Sequence, residues 1–485
     1  MVRRRLTPAT RQGSLLIKGA AILIGIACVL HVVLGTNPIV VLTAALTALF
    51  SIYPLTVYGL FNLGAVLIAL VGFRYVGFPL FAKLAMGQPL GTYLQDPTGS
   101  FGIVLLGLLG YLSAIFIAAK ISVGQPALQM VKSNIKLDRI SFLSAIIGIT
   151  ANLTVALRAG KYYSGLTIAE FFVPFLHLAL ITAVARIHQP TERRETRGVW
   201  IIILLILEIA FAMVQNSRMA LMEAFLCIIV TIIAFKTKIE WKKFLVAVFA
   251  IGLIVIFSTP VFLYVRNSRE DLSWTKRIDA TFEMALKWPE AFAYYQRQRA
   301  VWDRLGWYLN YYDMPKNILE RMTLVNHVDV LKSGSDRFGK VGLEDLKLSF
   351  QRALPRILSP DKHREYSQGS WLYESIGLTK PGPFATAPLI GTGYVAFGWA
   401  GVYFYPFVFG LMWLTIIKKI SGWDLQGNVW TIYLLIRVHN QFVEGSSDGS
   451  LIYILRSLPQ DFVVLWVVGT IANGRFLRPW RKKAI

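Results

Sequence analysis

Cysteine is nearly absent from this 485-residue chain. Its two thiols, Cys28 and Cys227, both lie inside apolar runs, where a thiol behaves as a small core residue. Neither a disulfide framework nor a cysteine metal site is therefore available. Charge is also scarce, at 16% of residues, and the acidic sign is the scarcer, with 27 Asp and Glu against 50 Lys and Arg. The phosphate-loop and zinc-helix signatures of soluble enzymes are missing. So are solenoid-period repeats, low-complexity tracts, a heptad seam and an obvious inverted repeat in the hydropathy.

What fills the chain instead is apolar sequence. With 55% hydrophobic residues and a mean hydropathy of +0.54, it is too apolar for an ordinary globular protein. The expected fold is all-α, a polytopic integral membrane protein. A helix needs roughly 20 apolar residues to cross the hydrocarbon core, and about twelve such spans can be placed. They centre near residues 26, 46, 64, 110, 149, 178, 207, 227, 253, 404, 435 and 463, the second and third touching around Tyr53-Pro54. The first span follows a basic start but has no small-residue cleavage site before Asn37-Pro38, so it is expected to be retained.

The net charge of +23 does not point to nucleic acid, because no basic block is interleaved with base-stacking aromatics. Its position explains it. With the N-terminus (Arg3, Arg4, Arg5, Arg11, Lys18) in the cytoplasm, the short connections at 120–139, 186–197, 236–243 and 418–419 and the tail at 475–483 all fall inside and all carry Lys or Arg. That is the positive-inside pattern. No internal loop is then long enough to house nucleotide chemistry. The organisation read from this is residues 1–265 with about nine spans, 266–389 as one external, partly helical segment, and 390–485 with about three spans.

The external segment alternates helical patterns with turn residues, so it is expected to fold. Residues 282–312 crowd Trp288, Tyr294, Tyr295, Trp302 and Trp307 among Arg297, Arg299 and Arg304, which suits a helix at headgroup level or a sugar-stacking platform. Short helices are expected at Ile318–Leu331 and Leu343–Leu354, the second stopped by Pro355. Pro355 and Pro360 then hold Leu354-Pro355-Arg356-Ile357-Leu358-Ser359-Pro360-Asp361-Lys362 extended, fixing Arg356 and Lys362. The glycines of 391–401 read as close helix packing.

Several basic residues sit where topology does not favour them. Arg158 and Lys161 close the fifth span, Arg218 opens the eighth, and Arg266 and Arg269 close the ninth. Together with Arg356 and Lys362 they form a candidate diphosphate site, since Arg presents a fork to phosphate oxygens; singly, each also suits a headgroup anchor. Arg437 and His439 lie within the eleventh span, where ionisable groups are functional candidates or pair with Glu208 or His177 as structural glue.

The twelve-span pattern, the single dominant external segment, Asn216-Ser217-Arg218, the Pro355 to Pro360 turn and the Gly/Phe-rich helix entry resemble the O-antigen and exopolysaccharide repeat-unit polymerases. The resemblance covers the whole chain in architecture through short motifs. It implies a membrane-embedded glycosyltransferase of the bacterial inner membrane, both termini cytoplasmic, working on undecaprenyl-diphosphate-linked oligosaccharides. The growing glycan would pass to the next lipid-linked repeat unit, with a flippase and a chain-length regulator as expected partners beside membrane lipid, and without cofactor, metal or nucleic acid. Arg218, Arg266 and Arg356 match the basic positions expected to engage phosphate or acceptor. For the base that deprotonates an acceptor hydroxyl, Glu365, Glu374 and His363 lie closest to the rigid turn. An O-antigen ligase, with His327 or His363 as its histidine, and a transporter or flippase of lipid-linked sugars are the alternatives.

The topology is testable by labelling a chain whose two native cysteines are replaced. Ala300→Cys is expected to react with a membrane-impermeant thiol reagent from outside, and Glu192→Cys only after permeabilisation; the reverse pattern would invert the orientation.

Overall fold

The computed structural model describes residues 8–131, 133–158, 167–187, 195–214, 218–235, 241–268, 274–305, 323–354, 368–378 and 386–472. Among the described residues the protein is helical and contains no strand. In chain order the helices are α1 (Pro8–Val33), α2 (Pro38–Tyr58), α3 (Leu63–Ala85), α4 (Pro97–Lys120), α5 (Asn134–Arg158), α6 (Thr167–Phe172) and α7 (Phe175–Ile187). There follow α8 (Glu195–Val214), α9 (Arg218–Ala234), α10 (Trp241–Ser268), α11 (Trp274–Leu286), α12 (Trp288–Leu305) and α13 (Val325–Phe338). The last are α14 (Glu344–Ala353), α15 (Gln368–Ser375), α16 (Leu389–Ile420), α17 (Val429–Glu444) and α18 (Ser447–Ala472).

Six helical stretches are long and apolar enough to cross a membrane: α2, α3, α4, Ala169–Ile187, α16 and α18. Shorter apolar stretches occur at Ile17–Val33, Gly198–Met213, Ala220–Ala234 and Gly252–Val265. The remaining two sequence centres, near 149 and 435, fall on α5 and α17. The expected junction at Tyr53-Pro54 is corrected: Pro54 lies inside α2, and the break comes at 59–62. There Gly59 takes φ +91, and Asn62 caps α3 by accepting from the Ala65 N–H at 3.1 Å, a stop and a start of the usual kind.

The chain forms two compact units. Unit 1 comprises residues 1–126, 299–423 and 438–459, and unit 2 comprises 127–298, 424–437 and 460–485.

In unit 1, α4 and α16 pack along their lengths. Gly110 permits this, because a Cβ there would meet the Tyr403 carbonyl. The expected close packing of the 391–401 glycines is present. Gly398 has φ +61 and breaks α16, so that Gly393 folds back onto Gly401 and each lacks room for a Cβ, while Gly391 lies against Leu331. Just before the break, the carbonyls of Val395 and Ala396 accept from the N–H groups of Val341 and Gly342, in the connection between α13 and α14, at 3.0 and 3.1 Å. Lys418 caps the far end of α4, donating to the carbonyls of Ala118, Ala119 and Ile121 at 2.8–3.0 Å. A cation at these orphan carbonyls also meets the negative end of the helix dipole.

In unit 2, α7 is central, and Phe175 to Arg186 are all buried. Gly148 of α5 lies against the Leu176 backbone, and Arg186 pairs with Asp138 at 3.0 Å. Trp288 of α12 donates to the Phe257 carbonyl at 3.0 Å and stacks on Phe292 at 4.7 Å, so this end of the aromatic crowd packs on α10.

Gly401→Ala is expected to destabilise the protein, because the obstructing Gly393 oxygen is backbone and cannot rotate away; overpacking of this kind costs about 1–3 kcal/mol. Gly198→Ala meets open space and is expected to be neutral or stabilising. Thermal unfolding in detergent checks both, and equal Tm values would remove this account of the hairpin.

Candidate functional site

Helix α14 is amphipathic in the inverted sense. Leu343, just before it, and Phe350 are exposed, at 70% and 52%, while Asp345, Ser349 and Arg352 are buried. Residues spaced at i, i+4 and i+7 share a helix face, so the polar three form one inward stripe. A carboxylate and a guanidinium do not go inward without partners.

Their partners come from α16 and from the turn leading into α18. One Asp345 oxygen accepts from Tyr405 Oη at 3.0 Å and from Ser447 Oγ at 2.7 Å. Ser349 Oγ donates to Ser447 Oγ at 3.2 Å. Arg352 donates to Asp448 Oδ2 at 3.0 Å, and the other Asp448 oxygen accepts from Ser446 at 2.8 Å. Ser446 is also the N-cap of α18.

Two residues further back, Glu444 ends α17 and pairs with Arg74. Arg74 lies in a π-helical turn, Phe73–Gly77, within α3; such single turns of wider winding are frequent at functional sites. Next to it, Tyr75 Oη donates to the Val443 carbonyl at 3.4 Å. Glycine is required at 445, where a Cβ would run into the Gln441 carbonyl oxygen, whereas at Gly449 it would meet only the end of the Gln441 side chain. Two acceptors in this neighbourhood, Asn440 Oδ1 and Ser450 Oγ, are buried with no hydrogen-bond partner.

The result is a site of two guanidinium–carboxylate pairs, a buried aspartate held by two hydroxyls, and unsatisfied polar atoms, built by residues 74–75, 345–352, 405 and 439–450. Sequence reasoning missed it. The signal was present in Gly445-Ser446-Ser447-Asp448-Gly449-Ser450, a dense polar turn between two apolar spans.

The residues expected from sequence are placed as follows. Arg356, Lys362, His363, Glu365 and Arg269 lie outside the described residues. Arg158 closes α5, Arg218 opens α9 and Arg266 falls in the last turn of α10, all as backbone positions in unit 2. Glu374 is exposed on α15. Arg437, read as a functional candidate or as pairing with Glu208 or His177, meets the fully buried Asp461 at 3.4 Å, and His177 meets Glu208 at 3.4 Å. His439 belongs to the unit 1 part of α17. His327 Nδ1 lies 3.2 Å from Tyr373 Oη, which donates to the Thr386 carbonyl.

A second charged set in unit 1 is more exposed. Asp329 is buried and accepts from the N–H groups of Gln95 and Asp96 and from Ser100 Oγ; burial raises its pKa against the pull of those donors. Lys332 bridges Asp96 at 2.9 Å and Asp336 at 2.8 Å. Asp336 also accepts from Tyr394, whose ring carries Lys340 at 3.8 Å from its centroid. Burial opposes charge on Asp96 and Asp336, yet the Gly99 N–H at the first and Lys332 at both outweigh it and hold both carboxyls below the usual range.

A carboxyl with a depressed folded pKa contributes stability above its unfolded pKa, about 3.9, and loses it as pH falls through the folded value. The Tm gap between the wild type and Lys332→Met is therefore expected to be widest near neutrality and to close below about pH 4. A gap that is constant with pH would mean that Lys332 does not act through these carboxylates.

The chain matches no family model, no curated protein and no solved structure.

Proposed function

We propose that this chain polymerises undecaprenyl-diphosphate-linked oligosaccharide repeat units at the outer face of a bacterial inner membrane, passing the growing glycan to the next lipid-linked unit. The observation that carries this reading is the presence of two guanidinium–carboxylate pairs, Arg74–Glu444 and Arg352–Asp448, with the buried Asp345 held on the same turn as the second. The Lys and Arg distribution, with α5 and α17 counted among twelve spans, assigns the 266–389 segment and the α17–α18 turn to the external side, and Arg74, at mid-length of α3, joins the turn through its pair with Glu444. Other contacts support the same topology. In unit 1, Thr36 meets Leu90 and Asp96 meets Lys332, all external by charge, whereas Lys418 meets Ala118 and the Leu63 N–H meets the Trp423 carbonyl, all internal. In unit 2, Asp138 with Arg186 and Gly427 with Ala234 are likewise internal pairs.

Glycosyl transfer from a diphosphate carrier needs a base for the acceptor hydroxyl and cations for the leaving group. An ion pair stores both. When a diphosphate draws the Arg74 guanidinium into bidentate contact, Glu444 loses its partner and becomes free to accept the hydroxyl proton. The acceptor oxygen bonds to the anomeric carbon, the anomeric carbon–oxygen bond to phosphate breaks, and the diphosphate departs with that electron pair, held by Arg74 and Arg352. Asp345, locked by Tyr405 and Ser447, keeps α14 and the α18 turn in register. Glu444 is preferred to Glu374 as the base because it adjoins a guanidinium, whereas Glu374 faces outward.

A deletion strain is expected to accumulate single repeat units and lose long polymer. Long polymer persisting on its lipid carrier, with only its final attachment missing, would favour a ligase. In a reconstituted assay with lipid-linked repeat units, Glu444→Gln is expected to lower turnover about 10²-fold or more. Arg74→Lys and Arg352→Lys, which keep charge but lose the fork, are expected to impair polymer length at near-normal protein abundance. Wild-type polymer from all three would remove this cluster from the chemistry.

A further inference from the structure

Unit 2 encloses a second set of ionisable groups, which the glycan chemistry above does not use. His177, on the fully enclosed α7, has its Nε2 3.4 Å from Oε2 of Glu208 on α8, with side chains 9% and 6% exposed. The other Glu208 oxygen, Oε1, is buried with no hydrogen-bond partner. Glu223 on α9 and Arg437 on α17 lie within electrostatic reach of His177, and the buried Cys227 of α9 within reach of both glutamates. Asp461 of α18, the Arg437 partner, lies 3.4 Å from Tyr433 Oη. Around α7, α6 adds Glu170, which is exposed, and α5 adds Asp138, which pairs with Arg186 at the other end of α7.

The charges in this set do not balance. Among the described residues, the buried Glu208 and Asp461 and the part-exposed Glu223 face one permanent cation, Arg437. With neutral imidazole, negative charge exceeds positive in this set, which apolar surroundings disfavour. A proton on His177 reduces that excess. Histidine is the side chain whose ordinary range spans neutral pH, and ionisable groups inside apolar helices are the elements of proton relays.

We infer that the His177–Glu208 pair is a proton-binding site enclosed by the apolar helices of unit 2. Its ligand is a proton from water, shared along the line from Nε2 to Oε2. A metal ion fits less well, because the site offers one free oxygen rather than a ring of donors. Uptake breaks only the bond to the delivering water and forms N–H or O–H on the pair; no oxidant or co-reactant is involved.

The test uses the full chain purified into lipid vesicles and needs no glycan, so its outcome is independent of the polymerase assay. Titration from about pH 8 to about pH 5 is expected to load about one proton per chain on this pair. It should be seen as a nitrogen-15 imidazole resonance that is lost in His177→Gln and whose midpoint moves in Glu208→Gln. A His177 resonance that does not titrate, or whose midpoint is unchanged in Glu208→Gln, overturns the proposal. Should the variants fail to fold, wild-type protein labelled with nitrogen-15 histidine decides: an imidazole slow to exchange its N–H in heavy water must titrate between about pH 8 and about pH 5, and the absence of such a resonance overturns the proposal equally.

Discussion

A polar group carried into apolar helices has no water to bond, so the chain itself must satisfy it, and the rest of this structure follows from how it does so. The simplest solution is local: along α2, Thr47 and Ser51 return their hydroxyls to the carbonyls of Thr43 and Ala48, both at 2.7 Å. Helix ends need more. Lys418 fills the carbonyls that end α4, and Asp96 begins the same helix by accepting from the Gly99 N–H at 2.9 Å. Asp329 secures that start by binding the amides of Gln95 and Asp96, and so ties α13 to α4.

The same requirement explains why the charged site is built from paired groups. Ion pairs removed from water are weak contributors to stability, since desolvation offsets their attraction, but removing one partner costs about 3–5 kcal/mol. Arg74–Glu444 and Arg352–Asp448 are therefore expensive to break and not obviously worth making for stability alone. Buried aliphatic residues would hold α14 against the α18 turn at least as well. The retained charge makes sense if a third party, a phosphate group, exchanges with the carboxylates. In that arrangement the resting protein satisfies its guanidiniums internally, and the ligand releases a base by taking a cation.

Much of the helical architecture was legible because the length of an apolar run is set by the bilayer itself. Each span centre read from the sequence falls on a helix. The end of α14 was legible for a backbone reason: Leu354, preceding Pro355, adopts the extended φ −66, ψ 148 that a following proline enforces. The junction after α2 was misread at Pro54, because a proline in an apolar helix need not end it when a cap such as Asn62 lies a few residues on. The helix expected over Ile318–Leu331 is described from Val325, with 323–324 non-helical and 318–322 outside the described residues.

The site was less legible, since its residues are scattered over four separate stretches and carry no fixed spacing. Basic residues at helix ends drew attention because topology disfavours them there, whereas Arg74 and Arg352 sat unremarked inside helices. What marks them is the face they occupy. Arg352 shares its side of α14 with Asp345 and Ser349, while Phe350 points outward, a reversal that a count of apolar residues cannot register. The turn at 445–450 follows from the same reversal. A helix that turns charge inward needs acceptors delivered by backbone close enough to reach, and the glycine at 445 lets the chain fold against the Gln441 carbonyl tightly enough to present Ser447 and Asp448 to it. That glycine and the hydroxyl and carboxylate that follow it are thus two halves of one requirement, imposed by the charges on α14.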